Sequence, residues 1–134
     1  MSDTDVCNNT ERPHELDAAI EALEWEAVEH RERSAKLHRR AGLRTSSAAR
    51  SQLAADQCRR AAELLSARDD VEADGAGGAE PTGSVGLLWV RANEYQEDAE
   101  VALDDAAMLD LEARGYAEMA EELERDARLL RAQS

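Results

Sequence analysis

Phenylalanine is absent from this chain of 134 residues, and two Trp and two Tyr are its only aromatics. Leu, Ile and Val together number 22, so large apolar groups are scarce, and no run approaches the ~18 uninterrupted apolar residues that a membrane span needs. The opening Met1-Ser2-Asp3-Thr4-Asp5 lacks the basic-then-apolar order of a secretory signal, so a cytoplasmic protein with no membrane partner is expected. Two cysteines, Cys7 and Cys58, are too few for a disulfide framework and too far apart for a redox or metal pair. Lys36 stands alone against 15 Arg. With 30 acids and a net charge of −14, this composition borders on that of disordered chains.

Periodicity argues for folding. Leu16, Ile20, Leu23, Ala27, His30, Ser34, Leu37 and Ala41 alternate in steps of four and three, which puts all eight on one helical stripe. The rhythm returns in Leu88, Ala92, Tyr95, Ala99, Ala102, Ala106, Leu109 and Ala113, and again from Tyr116 through Ala120, Leu123 and Ala127 to Leu130. A noisier stripe runs through Ser47, Ser51, Ala54, Cys58, Ala61 and Leu65.

Gly42 follows the first stripe, and Thr45 or Ser46 is placed to cap another helix, so the sequence predicts a turn near 42–45; Gly115 predicts a second near 113–116. The stretch from Asp74 to Gly86 is rich in Gly and holds Pro81, which reads as a connector. The expected organisation is a flexible segment at 1–12, a first helical hairpin at 13–70 with a basic tip, a connector at 71–86 and a second, acidic hairpin at 87–134. The fold class is all-α: two antiparallel helical hairpins in a four-helix bundle that dimerisation can complete. So many alanines on the stripes remove little surface from water, and that favours a homodimer with Trp25 and Trp89 as oligomer contacts.

Charge is segregated. Residues 1–30 balance to −8, 31–60 to +7 and 61–134 to −13. The basic stretch, Arg31, Arg33, Lys36, Arg39, Arg40, Arg44 and Arg50, is the expected recognition tip, and Glu94, Glu97, Asp98, Asp104, Asp105, Glu118 and Glu121 form the acidic face. Facing each other, the two set register and partner choice more than stability, because exposed ion pairs contribute only about 0–1 kcal/mol each. As an alternative, Arg39, Arg40, Arg44 and Arg50 bind nucleic-acid phosphates, although no aromatic interleaves them to stack bases and the rest of the chain repels a polyanion. As a second alternative, the acidic hairpin binds a basic partner or imitates a nucleic-acid backbone.

Chemistry has little to stand on. A di-iron bundle needs two Glu-x-x-His pairs, yet Glu11-Arg12-Pro13-His14 is the single example and no His follows His38. No Asp has Glu three positions before it, so the carboxylate quartet of a helical magnesium site is incomplete. Gly75, Gly77 and Gly78 precede no Lys-Ser or Lys-Thr pair, and Cys58 has no His after it. The sequence thus predicts no catalytic residue, metal or cofactor. Its best reading is a non-catalytic protein–protein interaction module whose partners are a second copy and an unidentified protein.

Overall fold

The computed structural model describes the backbone over residues 2–76 and 83–133, and side chains over 14–68 and 83–133. The protein is all-helical, with two long helices, α1 (Ser2–Ala76) and α2 (Ser84–Ala132), packed against each other as a helical hairpin. α2 opens with the Leu87 amide donating to the Gly83 carbonyl at 3.1 Å and closes with Gln133 donating to Leu130.

The turns expected at 42–45 and 113–116 do not form, so two helices stand where four were expected. Gly42 lies inside α1 and Gly115 inside α2, and neither takes the positive φ of a left-handed helix cap. Thr45 does not cap a new helix; its hydroxyl donates back to the Ala41 carbonyl at 3.0 Å, one turn earlier in α1. Tertiary packing overrides the breakers. A glycine inside a helix costs about 1 kcal/mol, and each of these two is flanked by buried alanines that keep their places on the seam only if the helix continues.

The buried positions keep one strict count. On α1 they are Ile20, Ala27, Ser34, Ala41, Ala48, Ala55 and Ala62; on α2 they are Val85, Ala92, Ala99, Ala106, Ala113, Ala120 and Ala127. Each is seven residues from the next, the repeat of helices that pack along one line. A second line, three residues on, is also spaced by seven. Leu16, Leu23, Leu37, Arg44, Ser51, Cys58 and Leu65 are half-buried along it, with His30 buried among them. α2 matches them with Leu88, Leu109, Tyr116, Leu123 and Leu130, half-buried, and with the buried Ala102.

This frame corrects the reading of residues 47–65. Ala48, Ala55 and Ala62 form the buried line, while Ser47, Ala54 and Ala61, expected on the seam, sit half-buried beside it.

The chain divides into two compact units, Met1–Arg39 with Leu109–Ser134, and Arg40–Met108. Both helices contribute to each unit. The expected segment at 1–12 falls on residues whose side chains lie outside the description. The expected connector at 71–86 is shorter in the structure, since α1 reaches Ala76 and α2 begins at Ser84; residues 77–82 lie outside the described residues.

Candidate functional site

In the first unit, antiparallel alignment brings two charge pairs together across the seam. Glu24 and Arg31 are seven residues apart on α1 and Glu124 and Arg131 seven apart on α2, with the acid first on both, so an antiparallel run sets each acid opposite an arginine. Arg31 Nε therefore donates to Glu124 Oε1 at 2.5 Å, while the Arg131 guanidinium binds the Glu24 carboxylate. The hydrogen bond from Arg31, helped by its charge, holds the Glu124 carboxyl below the usual carboxylate range against the opposing pull of desolvation. The same bond raises the pKa of Arg31. His38 Nδ1 lies 2.9 Å from Asp110 Oδ1.

The seam of this unit carries polar groups. Ser34, on the line given mostly to alanine, donates its hydroxyl to the Ala113 carbonyl of the opposite helix at 2.8 Å. So short a side chain reaches across only where two backbones run close, which the alanine line permits. His30 stacks on Tyr116 with ring centroids 5.6 Å apart, and the Arg33 guanidinium carbon lies 5.8 Å from the same ring centroid. His30 Nε2 is 4.0 Å from Glu26, and its Nδ1 is buried without a hydrogen-bond partner.

In the second unit Arg44 occupies a seam position. Its Nη2 donates to Asp105 Oδ2 at 2.7 Å, and its Nε is buried and unbonded. Two residues of α1 converge on one acceptor of α2: Gln52 Nε2 and Arg59 Nη2 lie 3.0 and 2.9 Å from Gln96 Oε1. Ala48, Ala99 and Ala102 form a small buried cluster.

The expected recognition residues are thus spread along and around α1 instead of gathered at a turn, because α1 continues through Gly42. Arg31, Arg33 and Arg44 are engaged within the hairpin. Lys36 and Arg39 line an open depression of about 410 Å³ with Glu29, Glu32, Arg33 and Ala35, all from α1 and of mixed charge. Arg40 and Arg50 are exposed. On α2, Asp105 is bound by Arg44 and Glu94 by Arg91, while Glu97, Asp98, Asp104, Glu118 and Glu121 face solvent. Trp25 is 67% exposed and Trp89 38%.

Sequence reasoning put Ser34 and Tyr116 on the stripes without assigning them a contact, and missed Glu124, Gln52 and Gln96. The seven-residue spacing of Glu24 with Arg31 and of Glu124 with Arg131 is the signal that locates Glu124. Among the described residues, no group of three or more His, Cys, Asp and Glu is placed to hold a metal, and no helix is long and apolar enough to cross a membrane. The chain matches no protein-family model, no curated protein and no solved structure.

Proposed function

We propose that the chain is a non-catalytic, cytoplasmic interaction module that associates with itself and with another protein, using a basic flank on α1 and an acidic one on α2. One observation carries this reading. The buried line is almost entirely alanine, whereas Leu43, Leu53, Leu64, Met108, Leu111 and Trp25 are each more than half exposed. Burial worth about 1.5–3 kcal/mol per large side chain is therefore left unused within the hairpin. Exposed apolar groups rimmed by charge are the usual composition of an association surface. Two hairpins packed together recover this burial as a four-helix bundle.

The nucleic-acid alternative is weaker. Of the four arginines assigned to it, Arg44 already holds Asp105 inside the hairpin, and Glu29 and Glu32 share the depression beside Arg39. The acidic flank of α2 suits a basic protein partner better than it suits a solvated face with no role, because Val101, Met108 and Leu111 stand among its carboxylates.

The test uses Lys36, the single lysine, as the anchor for an amine-reactive cross-linker in nuclease-treated native lysate. Recovery of one recurrent protein in stoichiometric amount, lost when Arg39 and Arg40 are changed to Glu, supports the module. Binding to duplex DNA that falls steeply with salt and disappears in an Arg39→Ser, Arg40→Ser, Arg44→Ser variant overturns it in favour of the nucleic-acid reading.

A further inference from the structure

In the unit Arg40–Met108 the two sides of the helix pair are unlike. On one side Gln52, Arg59 and Gln96 bridge the seam with hydrogen bonds. On the other, Arg44 with Asp105 is the one bridge described, and beyond it the α1 positions beside the seam are Ser47, Ala54 and Ala61, half-buried and too short to bridge. One helical step further out stand Leu43 and Leu64, and on the same side of α2 stand Leu87, Val101 and Met108; these five are 55–70% exposed. A helix with two apolar positions in seven packs against one neighbour; a third position, on one flank, is the pattern of a helix that packs against two. Over residues 43–65, α1 has the third position, and α2 covers only the other two.

We infer that a second copy of this chain packs on that side, completing a four-helix bundle; the inference rests on the self-association proposed above and assigns its surface. Charge selects the occupant and its direction. On this side α1 carries Arg40 and Arg50, and α2 carries Asp98 together with Glu94 and Asp105, which Arg91 and Arg44 already hold. The register fixed by Arg44 with Asp105 and by Gln52 with Gln96 puts Arg50 at the level of Asp98. A two-fold pairing that lays α1 of each copy over α2 of the other, with both copies running the same way, sets Arg50 against Asp98 twice. It also sets Leu64 against Leu87 and Leu43 against Met108 twice. Laying α1 on α1 instead opposes arginine to arginine. Five large side chains exposed by more than half fill the range of about 300–600 Å² that single soluble proteins leave uncovered. The half-buried Ser47, Ala54, Cys58 and Ala61 between them extend it toward the roughly 800 Å² per partner of a stable interface.

Sedimentation equilibrium on the full chain between about 1 and 100 µM tests this. The expected species has twice the 14.7 kDa of the chain. Leu64→Glu and Met108→Glu, each on the proposed face, raise the dissociation constant about tenfold or more; Leu53→Glu, 58% exposed but on the outer side of α1, leaves it within about twofold. Arg50→Glu, a fully surface change, weakens the dimer, and adding Asp98→Arg restores it, while far-ultraviolet circular dichroism confirms that each variant is helical. A monomer at 100 µM, or a dimer that Leu53→Glu breaks and Leu64→Glu does not, overturns the inference. A monomer that still captures its protein through Lys36 overturns this assignment alone; a dimer that captures none overturns the module reading and leaves the dimer face standing.

Discussion

Replacing Gly42 by Ala tests the continuity of α1 through the sign of the effect. If Gly42 closed a helix in the left-handed conformation, a Cβ there would be strained and the variant would lose about 1 kcal/mol or more. In the structure Gly42 has helical neighbours on both sides, no positive φ and, beyond its own stretch of helix backbone, no atom within 4 Å of where a Cβ would stand. Alanine then costs nothing in packing and recovers the glycine penalty of about 1 kcal/mol in a helix interior. Gly115→Ala obeys the same argument, since its added Cβ also meets nothing within 4 Å. The two sites lie in different units and share no partner, so their effects add to about 2 kcal/mol. The assay is urea unfolding followed by circular dichroism at one fixed protein concentration, because association would otherwise shift the midpoint. For a chain of this size the double variant melts roughly 6–10 °C higher. Destabilisation by either substitution refutes the continuous-helix account at that site.

Three further outcomes follow from the seams. Arg44→Leu stabilises the protein by about 1–2 kcal/mol in the same assay: the ion pair it removes is about half exposed and contributes about 0–1 kcal/mol, whereas the buried, unbonded Nε it removes costs about 1–3. Ser34→Ala costs about 1 kcal/mol, since it deletes a cross-helix hydrogen bond but leaves the Ala113 carbonyl its place in the helix. Because Arg31 depresses the pKa of Glu124, that pair contributes stability above the ordinary carboxylate pKa and loses it as pH falls through the depressed value. Glu124→Gln is therefore less stable than the parent at pH 7 and equal to it near pH 2, as urea titrations at both pH values will report.

The helical class, the stripes and the charge blocks were legible because a repeat in steps of four and three constrains every residue on it. Leu23, Leu37, Leu109 and Leu123 all lie half-buried on the seams where the periodicity put them. The number of helices was not legible, because Gly42 and Gly115 are local signals and the force that overrides them is packing against residues more than sixty positions away. The unbroken count from Ala41 through Ala48 and Ala55 to Ala62 was available in the sequence. Small residues one position earlier, at 47, 54 and 61, obscured it. Basic and acidic blocks were visible, but which members pair depends on antiparallel alignment: Arg31 meets Glu124 and Arg44 meets Asp105, and neither partner can be chosen before the helices are set side by side.

Native-state hydrogen exchange at residues 41–46 and 113–117 tests the central claim most directly. A helix that continues through each glycine protects the amides of Leu43, Arg44 and Thr45, and likewise those of Gly115 and Tyr116, by orders of magnitude over an unstructured peptide, to a level close to their neighbours on the buried line. Exchange at free-peptide rates in either window, between protected flanks, contradicts the account and restores a turn at that position.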